Sequence, residues 1–185
     1  MIDPLEIINI FYKDSDPARE ILLLHSTQVR NKAVWISRRL GKSVDIETVS
    51  AGAMLHDIGI RFCNAPGIGC FGEADYLRHG ITGAEKLRSL GIDGMEKFAR
   101  ICERHTGSGL TALEIVSGGL PLPERDFLPE TVEEKIICLA DKFFSKSGDM
   151  QEKSLERVRK SMAKFGEEPL KRFDDLCAEL LQLRL

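Results

Sequence analysis

Apolar residues recur three and four positions apart along almost the whole chain, the spacing of one helix face, and no alternating stretch is long enough to seed a sheet. The pattern predicts an all-α fold. After Asp16-Pro17, a capping residue followed by a proline suited to a first helical turn, Leu22, His25, Val29, Ile36 and Leu40 fall on one face until Gly41 stops the run. A second helix, from about Asp45 to Asp57, turns Val49, Ala53 and Met54 or Leu55 inward. It breaks at Gly59 and delivers His56 and Asp57 at its end.

Residues 61–76 hold four glycine or proline breakers and are expected as a loop, a candidate substrate rim. Helices follow from Leu77 or His79 to Leu90, from about Met95 to His105, and briefly from Thr111 to Val116, ahead of the Gly/Pro-rich connector at 117–130. Thr106–Gly109 reads as a turn. Thr131 and Glu134 form a capping-box pattern opening a helix that presents Ile136, Leu139, Ala140 and Phe143 inward, with Asp141 expected in its middle. Helices at about 151–165 and 167–182, ending in Leu180, Leu181 and Leu183, read as a packing cap. The chain is thus expected to be a single domain, residues 1–185, with its core at about 20–147.

Apolar residues make up 43% and charged residues 30%, the balance of an ordinary globule, and no apolar run approaches the roughly 20 residues that a bilayer crossing needs. The start MIDPLEI lacks the basic and apolar regions of a signal peptide, so a cytoplasmic location and no membrane partner are expected. Lys and Arg number 26 against 29 Asp and Glu, which argues against stable nucleic-acid binding. The five cysteines contain no C-x-x-C pair and read as reduced structural thiols, with Cys63 and Cys70 the pair most worth checking for proximity. Carboxylate pairs such as Glu133-Glu134 and Asp174-Asp175 read as solvated helix faces, and the lone Trp35 as core or interface packing.

Only four histidines occur, His25, His56, His79 and His105, each on an inward stripe or at a helix end. With Asp57, adjacent to His56, they offer nitrogen and oxygen donors from separate helices, which is what a metal site in a bundle core requires. The pattern His25, His56-Asp57 within a literal HDIG string at 56–59, and Asp141 resembles the HD-domain metal-dependent phosphohydrolases over about residues 20–147. That resemblance implies a helical bundle in which His25, His56, Asp57 and Asp141 hold one divalent ion. It also implies that His79 and His105 complete a second site with Asp57 bridging.

Among two-metal relatives the organisation is most similar to small bacterial hydrolases of symmetrical dinucleoside tetraphosphates. The GYP-type extension of cyclic-di-GMP phosphodiesterases is missing, and Ile60 stands where many HDIG proteins carry a phosphate-touching lysine, with Arg61 next to it. The expected activity is hydrolysis of a phosphoester or pyrophosphate bond in a nucleotide-like small molecule, with Asp57 and His56 central to catalysis. Two ions are expected, with iron or manganese favoured by the donor set and magnesium, nickel, cobalt or zinc also compatible. Arg61, Lys142 and Arg104 are the first candidates for phosphate contacts, with Arg78 and Lys146 behind them. The alternative is a catalytically silent nucleotide- or metal-binding regulatory module. Substrate identity and oligomeric state have no readable code in the chain.

Overall fold

A computed structural model of the protein describes residues 3–13, 16–41 and 44–182. Among these residues it contains nine α-helices and one two-stranded ribbon. The helices are α1 (Pro4–Phe11), α2 (Pro17–Leu40), α3 (Ile46–Leu55), α4 (His79–Ser89), α5 (Glu96–Arg104), α6 (Ala112–Gly118), α7 (Val132–Asp141), α8 (Leu155–Met162) and α9 (Glu167–Leu181).

The spine is α2. The Asp16 carboxylate accepts from the Ala18 N–H at 3.0 Å, Pro17 occupies the first turn, and Gly41 ends the helix at φ +88°, a value that side-chain-bearing residues rarely adopt. Its stripe of Leu22, His25, Val29, Ala33 and Ile36 is buried, and α3 and α7 pack against it. The capping box of Thr131 and Glu134 forms as expected, and Ile136, Leu139 and Ala140 enter the same core. Asp141, however, is the last residue of α7 rather than its middle. The chain turns immediately afterwards, so the carboxylate sits at a helix end beside the site.

Further departures have simple causes. Residues 4–11 form α1, whose Asp3-Pro4 start repeats the Asp16-Pro17 signal and whose Ile7 and Ile8 are buried. The expected loop at 61–76 folds into short 3₁₀ turns and the ribbon β1 (Asn64–Ala65) and β2 (Cys70–Phe71), antiparallel with Ala65 opposite Cys70. Two-residue strands are too short to leave an alternating pattern. Trp35 is 50% exposed, its ring covered by Arg39 at 4.9 Å and Lys32 at 5.8 Å rather than by the core.

Glu134 is buried by its capping role and by Arg100 at 2.8 Å, unlike the solvated face expected of it. The C-terminal helices α8 and α9 add Val158, Met162, Phe173, Cys177 and Leu180 to the core; Leu183 lies outside the described residues. All five cysteines are buried and free. No helix among the described residues is long and apolar enough to cross a membrane.

Candidate metal centre

His25 comes from α2, His56 and Asp57 from the turn that ends α3, His79 from the first residue of α4, His105 from the end of α5, and Asp141 from the end of α7. Two glycines allow these ends to converge. A Cβ on Gly59 would lie 2.1 Å from the His79 carbonyl oxygen, so only a bare backbone lets α4 press onto the His56-Asp57 turn. A Cβ on Gly80 would lie 2.5 Å from the Cys102 carbonyl oxygen, which sets how closely α4 and α5 approach. Tyr12 fixes the turn from the other side, its hydroxyl donating to the Ile58 carbonyl at 2.8 Å.

The result is two clusters sharing one carboxylate. Donor atoms of His25, His56, Asp57 and Asp141 lie within 4.8 Å of one another, as do those of Asp57, His79 and His105. His25 Nε2 is 3.1 Å from Asp57 Oδ2 and 2.9 Å from Asp141 Oδ1, and His56 Nε2 is 3.0 Å from Asp57 Oδ2. On the other side, His79 and His105 place Nε2 atoms 3.4 and 3.3 Å from Asp57 Oδ1. All six residues are buried.

The hydrogen bonding identifies which ring nitrogens are free. Nδ1 of His56, His79 and His105 lies 2.7, 2.7 and 2.6 Å from the carbonyl oxygens of Ala53, Tyr76 and Cys102. A carbonyl only accepts, so each Nδ1 carries a proton and each ring turns its Nε2 inward; His79 and His105, both lowered by burial, do so as neutral imidazoles with a free lone pair. The Nε2 atoms of His79 and His105 stand 3.0 Å apart, two lone pairs facing each other. Neither oxygen of Asp57 has a hydrogen bond of good geometry, although both are fully buried. Imidazole nitrogens and carboxylate oxygens converging in a buried pocket fit a divalent cation, and backbone-locked histidines are how metal sites orient their rings.

The electrostatics agree with this arrangement. Burial raises the Asp57 carboxyl, but His56 and Lys146 outweigh it and hold the group well below the usual carboxylate range. For Asp141, burial is similarly overcome, chiefly by Lys142 and His25. Burial opposes charge on His56, yet Asp57 and Asp141 raise it to about 9. Burial, reinforced by the neighbouring His105, pushes His79 down to about 3, and burial likewise lowers His105.

The HD-domain sequence profile matches residues 22–145. The chain belongs to the HD-domain family. An uncharacterized protein of Methanocaldococcus jannaschii is 45% identical over 101 residues, covering 55% of this chain and 51% of that protein. Proteins named tRNA (cytidine(56)-2'-O)-methyltransferase from Picrophilus torridus and Thermoplasma volcanium are 37% and 35% identical, covering 71% and 86% of this chain but 33% and 40% of their own lengths. The chain therefore spans about a third to a half of the curated relatives it matches. Among solved structures, the HD domain of the L. monocytogenes phosphodiesterase PgpH matches over 98% of both chains with TM-score 0.55 and 15% identity, and its complex with cyclic-di-AMP does so with TM-score 0.54. These likenesses establish an HD-domain fold.

Around the HD cluster the cationic candidates separate. Arg61 points away: its guanidinium binds the Phe11 carbonyl and lies 3.1 Å from Asp16. Arg104 is likewise directed elsewhere, to the Leu128 carbonyl at 2.6 Å and Glu130 at 2.7 Å, pinning the connector to α5. Arg78 donates to the Pro121 carbonyl. Both guanidiniums are committed to backbone carbonyls and carboxylates away from the cluster, so neither arginine faces the six His and Asp side chains. Lys142 does reach the cluster, 2.7 Å from Asp141 Oδ2 and donating to the His105 carbonyl at 3.2 Å. Lys146 goes deeper, with Nζ 2.6 Å from Asp57 Oδ2. Sequence reasoning missed Tyr76, whose ring stacks on His79 at 4.8 Å. Its one signal is its place three residues before that histidine, a single turn away.

Proposed function

We propose that the protein is a metal-dependent phosphohydrolase acting on a phosphoester or phosphoanhydride bond of a nucleotide-like substrate. The observation that carries this reading is Asp57, which offers one oxygen to each of two histidine-rich clusters. His25, His56 and Asp141 would hold one ion with Asp57, and His79 and His105 the other; manganese and iron suit this mixed nitrogen and oxygen set. When bound, such ions supply an acidified water nucleophile and neutralise charge on phosphoryl oxygens.

The chain's own residues supply the remaining services. The carbonyls of Ala53, Tyr76 and Cys102 fix three imidazoles so that no ring has to reorient as cations are taken up. Lys142 stands at the rim, where it can donate to a phosphoryl oxygen. Tyr76 covers one face of His79 and borders a cleft of about 400 Å³ through which a substrate can approach.

A second reading, a nucleotide- or metal-binding module without turnover, draws support from the relatives in which the matched stretch is only a part of a protein named for another activity. The complete ligand set favours the enzyme. The two are separated by incubating manganese- or iron-loaded protein with nucleotides, dinucleoside polyphosphates and cyclic dinucleotides, the last because the PgpH domain binds cyclic-di-AMP. Turnover abolished by His56→Ala and by Asp57→Ala supports the hydrolase. Stoichiometric metal with no turnover on any substrate supports the module.

A further inference from the structure

We propose that Lys142 and Lys146 form a paired clamp for a terminal, multiply charged phosphoryl group, so that the substrate is a phosphomonoester or polyphosphate rather than a phosphodiester. The inference rests on the hydrolase reading and deepens it.

The two ammonium groups are the lysine or arginine charges within ion-pair distance of the site carboxylates among the described residues, Lys142 on Asp141 and Lys146 on Asp57. Both are largely withdrawn from solvent, with side chains 14% and 13% exposed. Their backbone is held from behind: the Lys153 N–H donates to the Phe143 carbonyl at 2.8 Å, and its ammonium donates to the Phe144 carbonyl at 3.0 Å. The two lysines are therefore presented to the cluster from a fixed turn rather than a free loop.

Charge balance then selects the ligand. The two carboxylates and the two ammoniums carry equal and opposite charge. Divalent cations drawing on the same two carboxylates would weaken the pairing of both lysines, in a pocket where an unpaired buried charge is costly. The flexible four-carbon stems let each ammonium follow an incoming anion. A phosphodiester brings a single negative charge, whereas a phosphomonoester carries about −1.5 to −2 at neutral pH and offers three terminal oxygens. The latter matches two lysines and the cation sites together. Beside Lys146 lies the cleft of about 400 Å³ lined by Tyr76, Ser145, Ser147, Gly67 and Ile68, which leaves room for the rest of the molecule beyond its terminal phosphoryl group.

The test is calorimetric and does not depend on turnover. Manganese-loaded protein is titrated with inorganic phosphate and with dimethyl phosphate, and the titrations are repeated on Lys142→Met and Lys146→Met. Phosphate should bind more tightly than dimethyl phosphate, and each substitution should weaken phosphate by about tenfold or more, the loss of one charge-assisted contact, with manganese stoichiometry unchanged. Equal affinity for the two anions, or lysine variants that bind phosphate like the parent, would overturn the clamp while leaving the hydrolase reading intact. A parent protein that takes up no manganese, iron or other divalent ion contradicts the hydrolase reading, and the clamp with it. If either methionine variant does not fold, Lys142→Gln and Lys146→Gln are measured against the same outcomes.

Discussion

The Nε2 atoms of His79 and His105 stand 3.0 Å apart although both rings have already committed their Nδ1 protons to backbone carbonyls. Two neutral imidazoles in that arrangement repel one another, and with Asp57 they would hold a cation that relieves the repulsion. His79→Ala and His105→Ala should each lower bound manganese from about two ions per chain towards one, read by elemental analysis after gel filtration. A count unchanged in both variants contradicts a second site built on these residues.

Metal uptake should release a proton from His56. Asp57 and Asp141 outweigh burial and raise this imidazole to about 9, so it is charged at neutral pH in the metal-free protein, and it must lose its Nε2 proton to become a ligand. About one proton per chain is expected on manganese binding in weakly buffered solution at pH 7, and progressively fewer as the starting pH passes 9. An indicator dye reads the release directly, and pH-independent uptake without a proton would contradict the assignment.

The same linkage has the opposite sign at His79. Burial and the nearby His105 lower its folded value to about 3, below the unfolded value of about 6.5, so the unfolded chain binds the extra proton first. Metal-free protein should therefore lose stability as pH falls below about 6.5, with His105 acting in the same direction. His79→Gln should flatten the decline in melting temperature between pH 7 and pH 5. An identical slope in that variant would exclude His79 as a source of the dependence.

Gly59 is a packing requirement as much as part of a signature. In Gly59→Ala the new methyl would sit 2.1 Å from the His79 carbonyl oxygen and 2.5 Å from the Gly83 nitrogen, both backbone atoms that cannot swing aside. A loss of about 3 kcal/mol in urea denaturation is expected. Gly67→Ala, whose Cβ meets nothing within 4 Å, should stay within about 0.5 kcal/mol of the parent. Equal stabilities for the two variants would contradict the close approach of α4 to the His56-Asp57 turn.

The helices were legible where the chain carries strong local signals. Asp16-Pro17 and Gly41 bound α2, and the Thr131/Glu134 box opens α7, because caps and breakers act within a few residues. Asp3-Pro4 carries the same signal as Asp16-Pro17, and α1 could have been read from it. The four histidines stood out because they are few and fall on inward stripes or helix ends, whereas Asp141 was picked out from the other aspartates only by the resemblance that the HDIG string suggested. The cation contacts were less legible: proximity in sequence placed Arg61 and Arg104 beside ligands, but their directions depend on partners such as Asp16 and Glu130, 45 and 26 positions away. Lys146 and Tyr76 reach the centre only through turns whose course is set by packing, which no periodicity encodes.

The most direct measurement is anomalous scattering from a crystal of the protein grown with manganese. Two peaks about 3.5 to 4 Å apart are expected, one on the side of His25, His56 and Asp141, the other on the side of His79 and His105, with Asp57 between them. Manganese absent from both positions, or bound only at surface carboxylates away from Asp57, would contradict the account.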